Sequence, residues 1–85
     1  MLREHLEKVL SGKDLFPREM TEAMDAIMDG LEPEVLVGAF LAGLRAKGET
    51  IGEIASAASV MRGKALPVRV TGKRLLDIVG TGGDR

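Results

Sequence analysis

Apolar residues in the first sixty positions recur every three or four residues, the spacing of α-helices that each bury one face. Leu2, Leu6, Val9 and Leu10 follow this period, with Glu4, Glu7 and Lys8 opposite, and Ser11-Gly12 supplies a stop. After Phe16-Pro17, the residues Met20, Ala23, Met24, Ile27 and Met28 form one face of a second helix that ends at Gly30. Three methionines on one stripe read as core filler between helices, because an unbranched thioether adapts to irregular gaps.

Pro33 occupies a first-turn position, and the following stretch from Val35 to Leu44 is apolar almost all round before Lys47-Gly48 closes it. A helix with two apolar faces needs two partners. One face packs within the small domain, and the other meets a second domain or a second subunit. Gly38 with Ala42, and Ala39 with Gly43, leave grooves four residues apart that suit close helix packing. Thr50-Ile51-Gly52-Glu53 fits a capping box and opens a fourth helix carrying Ile54, Ala55, Ala58 and Met61. That helix fades near Gly63.

Beyond Leu66-Pro67 the pattern changes. Val68-Arg69-Val70 alternates like a short strand, Thr71-Gly72-Lys73 turns, and Leu75-Leu76-Asp77-Ile78-Val79 reads as a buried strand running into Gly80-Thr81-Gly82-Gly83-Asp84. The expected fold class is therefore all-α, a four-helix N-terminal bundle, with a C-terminal strand that begins an α/β domain. Residues 1–66 form the helical domain, and residues 67–85 supply a linker, a first strand and a glycine-rich loop. On this reading the chain is a fragment whose second domain is only begun.

Composition narrows the function. The chain has 85 residues, a net charge of -1 with both signs interspersed, and 2% aromatic residues, from Phe16 and Phe40 alone. A nucleic-acid binder needs a basic footprint and aromatic stacking platforms, so neither nucleic acid nor, without a long apolar run, a membrane is an expected partner. With no cysteine and one histidine there is no disulfide and no thiolate or histidine-cluster metal site. The setting expected is cytoplasmic.

Chemistry is concentrated at the end of the chain. Glycines let the backbone approach a ligand and adopt positive φ, so that successive N–H groups of Gly80-Thr81-Gly82-Gly83 can converge on a pyrophosphate or carboxylate. Asp84 adds a carboxylate able to accept ligand hydroxyls or position a hydrated magnesium. The motif is neither a Walker A loop nor a complete dinucleotide fingerprint. Lys73 and Arg74 precede the strand as solvated charges. His5, beside Glu4 on a charged helix, reads as a solvated surface residue with no catalytic role. Glu19, Glu22, Asp25 and Asp29 face away from the methionine stripe and read as a solvated acidic face, not a metal site.

The succession Met20-Thr21-Glu22-Ala23-Met24, Ile27-Met28-Asp29-Gly30, Ala39-Phe40-Leu41, Leu44-Arg45-Ala46-Lys47-Gly48-Glu49-Thr50, Glu53-Ile54-Ala55, Met61-Arg62 and Asp77-Ile78-Val79-Gly80-Thr81-Gly82-Gly83-Asp84 closely resembles the N-terminus of the anthranilate phosphoribosyltransferase family. The likeness runs nearly end to end, and its last stretch is that family's signature. It implies a two-domain enzyme of tryptophan biosynthesis, a small helical domain followed by a larger α/β domain, that joins the anthranilate amino group to C1 of phosphoribosyl pyrophosphate and releases pyrophosphate with magnesium present. It implies that Gly80, Thr81, Gly82, Gly83 and Asp84 form the phosphoribosyl pyrophosphate loop, with Gly80, Gly83 and Asp84 at contacting positions and Gly80 also beside anthranilate. It further implies a homodimer through the helical domain, Mg2+ held by residues beyond this chain, and no catalytic side chain within it. The family commonly has glycine where Arg85 stands. The 85-residue chain alone is expected to be inactive. Two other readings are a fragment of a related pyrimidine nucleoside phosphorylase, which expects a Lys-His-Ser-type lead where this chain has Asp77-Ile78-Val79, and a stand-alone helical docking module.

Overall fold

The computed structural model describes residues 1–64, which form four helices: α1 (Leu2–Leu10), α2 (Pro17–Met28), α3 (Glu34–Lys47) and α4 (Ile51–Gly63). The expected four-helix, all-α bundle is present. The expected strand, the glycine-rich loop and the boundary between residues 66 and 67 lie outside the described residues.

Each helix begins and ends for local reasons. In α2, Pro17 takes a first-turn position where its missing N–H costs nothing, and the Glu19 carboxylate returns to accept the Phe16 N–H at 2.8 Å. Gly30 and Gly48 follow α2 and α3 with φ of 71° and 95°, the left-handed region in which glycine carries no Cβ penalty. Pro33 stands one position before α3, as its N-cap residue. At α4 the reciprocal cap forms as the sequence predicts: the Glu53 N–H donates to Thr50 Oγ1 at 3.0 Å, and the Thr50 N–H donates to Glu53 Oε1 at 2.9 Å.

The helices pack as two pairs. α1 lies chiefly on α3 and α2 chiefly on α4, with a smaller contact between α1 and α2. The shared core gathers Leu2, Leu6 and Val9 of α1, Met20, Ala23 and Met24 of α2, Phe40 and Leu44 of α3, and Ala57 and Met61 of α4, with Leu15 entering from the α1–α2 connection. Met20 and Met24 are fully buried, so the methionine stripe is core, as the spacing predicts. Burying each such large side chain contributes about 1.5–3 kcal/mol of apolar transfer.

Two expectations about buried faces are corrected. His5 is buried and not solvated: it shares the Leu2, Leu6, Val9 face of α1 and sits 3.2 Å from a Glu22 carboxylate oxygen on α2. In α4 the buried line runs through Glu53, Ala57, Ala58 and Met61, while Ala55 is exposed. Small residues of α4 itself, Ala55, Ser56, Ala57, Ala58 and Ser59, lie on every side of the helix, so its own pattern does not fix which face turns inward.

Candidate functional site

The candidate ligand loop of Gly80, Thr81, Gly82, Gly83 and Asp84, with Lys73 and Arg74 before it, lies outside the described residues. Within residues 1–64 the bundle offers three features that bear on function: an unpartnered apolar stripe, a row of carboxylates and a buried ion pair.

The stripe follows from the doubly apolar sequence of α3. Phe40, Gly43 and Leu44 turn into the core, while Val35, Gly38, Ala39 and Ala42 stay exposed at helical spacing, with Val35 82% accessible. The two glycines of α3 have different jobs. A Cβ on Gly43 would come 3.1 Å from Val9 Cγ1 and 3.3 Å from Leu10 Cδ2, so this glycine brings α3 against α1. A Cβ on Gly38 would meet nothing within 4 Å, so the groove at Gly38 and Ala42 is open. Solvated apolar surface of this kind gains free energy when covered.

The acidic residues of α2 divide. Glu22, Asp25 and Asp29 are exposed, as expected, and line a shallow open depression with Met1, Leu31 and Glu32. Glu19 departs from that face. It takes the Lys8 ammonium at 2.7 Å and the Phe16 N–H, and Lys8 also sits 4.4 Å above the Phe16 ring. The hydrogen bond from Lys8, then that from Phe16, holds the Glu19 carboxyl below its ordinary range against the opposing effect of burial. Asp29 meets Lys64 at 3.5 Å, which ties the end of α2 to the end of α4. Among the described residues no three acidic or histidine groups converge as a metal site. No helix among them is long and apolar enough to cross a membrane.

The third feature was not legible from spacing. The Glu53 carboxylate is fully buried, and its Oε2 accepts the Leu15 N–H at 2.7 Å, 38 positions away in sequence. Its Oε1 accepts the Thr50 N–H and the Lys47 ammonium, the latter at 3.0 Å. Lys47 Nζ completes its donor set with Asp14 Oδ1 at 2.9 Å and the Gly48 carbonyl at 3.0 Å. Burial alone would lower the Lys47 pKa; the hydrogen bonds and charges of Asp14 and Glu53 overcome it and hold the ammonium above the ordinary lysine value.

Comparison with known proteins extends the picture across the whole chain. A sequence profile described as the helical bundle domain of a glycosyl transferase family matches residues 3–65. An anthranilate phosphoribosyltransferase of Methylococcus capsulatus is 52% identical over 81 residues, 95% of this chain and 24% of that protein. One of Persephonella marina is 44% identical over 86 residues, covering 100% of this chain and 25% of the relative. One of Anaeromyxobacter is 49% identical over 84 residues, 99% of this chain and 25% of its own length. The chain thus spans about a quarter of the length of these relatives. Its four helices, matched almost from end to end, place it in the glycosyl transferase family as a helical bundle domain.

Proposed function

We propose that this chain is the N-terminal part of an anthranilate phosphoribosyltransferase, an enzyme that transfers the phosphoribosyl group of phosphoribosyl pyrophosphate to the amino group of anthranilate in tryptophan biosynthesis. The observation that carries this reading is the similarity, over nearly the whole chain, to several relatives bearing that name. The glycosyl transferase domain in which the chain is placed agrees with pentosyl transfer.

On this reading residues 1–66 are the helical domain, and residues 67–85 carry the linker, first strand and substrate loop. In the loop of Gly80, Thr81, Gly82, Gly83 and Asp84, the backbone at Gly80 and Gly83 contacts phosphoribosyl pyrophosphate while Thr81 and Gly82 shape the loop, Asp84 accepts from its ribose or its hydrated magnesium, and Gly80 borders anthranilate. Such a loop acts by orienting two substrates and by stabilising charge on the departing pyrophosphate. Among the described residues no magnesium ligand set is assembled. The exposed stripe of Val35, Gly38, Ala39 and Ala42 is where a second copy of the chain docks, giving a homodimer, and the setting is cytoplasmic.

The loop assignment is tested in the full-length protein by Gly83→Val and Asp84→Asn. Both variants are expected to raise the KM for phosphoribosyl pyrophosphate, with the helical content retained. Unchanged kinetics for both would place the substrate elsewhere.

A further inference from the structure

The Glu53 and Lys47 side chains stand at the one end of the bundle where two crossings meet. Because α1 packs on α3 and α2 on α4, the α1–α2 connection and the α3–α4 turn each pass from one helix pair to the other. The carboxylate of Glu53 holds a backbone N–H from each crossing, Leu15 and Thr50, and Lys47 adds Asp14 from the first crossing and Gly48 from the second. These four groups, two from each crossing, thus depend on one ion pair whose side chains are 5% and 0% exposed.

We propose that the Glu53–Lys47 pair is a clamp that fixes the orientation of the α1–α3 pair relative to the α2–α4 pair. Across the α1–α2 side of the shared apolar core the polar contacts between the pairs are few: His5 with Glu22, and Lys8 with Glu19. Apolar packing is non-directional and tolerates several crossing angles, whereas a buried carboxylate that satisfies three fixed donors accepts one. Exchanging one carboxylate oxygen for an amide NH2 sets a donor against either the Leu15 N–H or the Thr50 N–H and Lys47 ammonium, and that mismatch is relieved by letting water in between the crossings. Loss of the clamp therefore opens the two pairs as units while each pair stays packed, a sub-global motion and not unfolding. The clamp does not depend on what reaction the parent protein catalyses.

The chain has no cysteine, so spin labels at introduced cysteines report single distances. Labels at the exposed positions 45 and 59 span the two pairs, and labels at positions 7 and 45 lie within the α1–α3 pair. In the full chain carrying Glu53→Gln, the distance distribution from 45 to 59 is expected to roughly double in width, with the 7-to-45 distribution and the helical circular dichroism retained. An unchanged 45-to-59 distribution overturns the clamp. Equal broadening of both distributions, or joint loss of both with the helical signal, also overturns it, since the ion pair then only adds general stability. Lys47→Met, which keeps the carboxylate and its two backbone donors but removes its buried cation, is the second variant and is read by the same outcomes.

Discussion

Gly43 and Val9 approach so closely that a Cβ on the glycine would lie 3.1 Å from Val9 Cγ1. Val9 is 2% exposed and has no room to retreat, so the approach of α3 to α1 is set by the missing side chain. Gly43→Val is expected to cost about 1–3 kcal/mol through overpacking. Gly38→Ala, on the open side of the same helix, is expected to gain about 0.5–1 kcal/mol from the better helix former. Urea midpoints of the two variants, measured at high dilution, check the contrast. Equal effects would mean that the two glycines face the same environment.

The exposed side of α3 makes a separate prediction about association. Replacing Ala42 by Glu puts a charge on the stripe without touching the core, so the variant is expected to keep its helical content and sediment as a monomer where the parent protein sediments as a dimer. A parent protein that is monomeric at high concentration would contradict the docking role of the stripe.

Acid should weaken the α1–α2 contact in a defined direction. The Glu19 carboxyl is held below its ordinary value by Lys8 and Phe16, so its contribution is present above the unfolded pKa and is lost as pH falls through the lower folded value. Glu19→Gln is therefore expected to be less stable than the parent at neutral pH, with the difference shrinking as the pH drops below about 4. A difference independent of pH would show that the carboxylate charge does not matter there.

The methionine stripe is expected to behave as volume. Met24→Leu preserves size and apolarity and should cost less than about 1.5 kcal/mol, whereas Met24→Ala should cost about 2–5 kcal/mol because the site is fully closed. Thermal unfolding of the two variants separates this from any role for the sulfur, which would make the leucine variant fail as badly as the alanine one.

What could be read in advance was what local spacing encodes. The helices, the methionine core and the Thr50–Glu53 cap all depend on residues within a few turns of each other. The burial of His5 is also encoded locally, because Leu2, His5, Leu6 and Val9 stand at i, i+3, i+4 and i+7, a register that its polarity masks. The orientation of α4 was not legible, since Ala55, Ala57 and Ala58, interleaved with the small Ser56 and Ser59, offer nearly equivalent faces. Nor was the reach of Glu53 to Leu15, because nothing near either residue signals a hydrogen bond across 38 positions. By spacing along α2 alone Glu19 belongs to an acidic face, and only the packing of α1 brings Lys8 beside it.

Phosphoribosyl transfer is tested most directly by turnover. The full-length protein, purified from its native source and given anthranilate, phosphoribosyl pyrophosphate and magnesium, is expected to consume anthranilate and release one pyrophosphate for each anthranilate lost, while the 85-residue chain alone does not. A folded full-length protein that leaves anthranilate untouched would contradict the proposed function, and enzyme-like turnover by the 85-residue chain would contradict its place as one part of the catalyst.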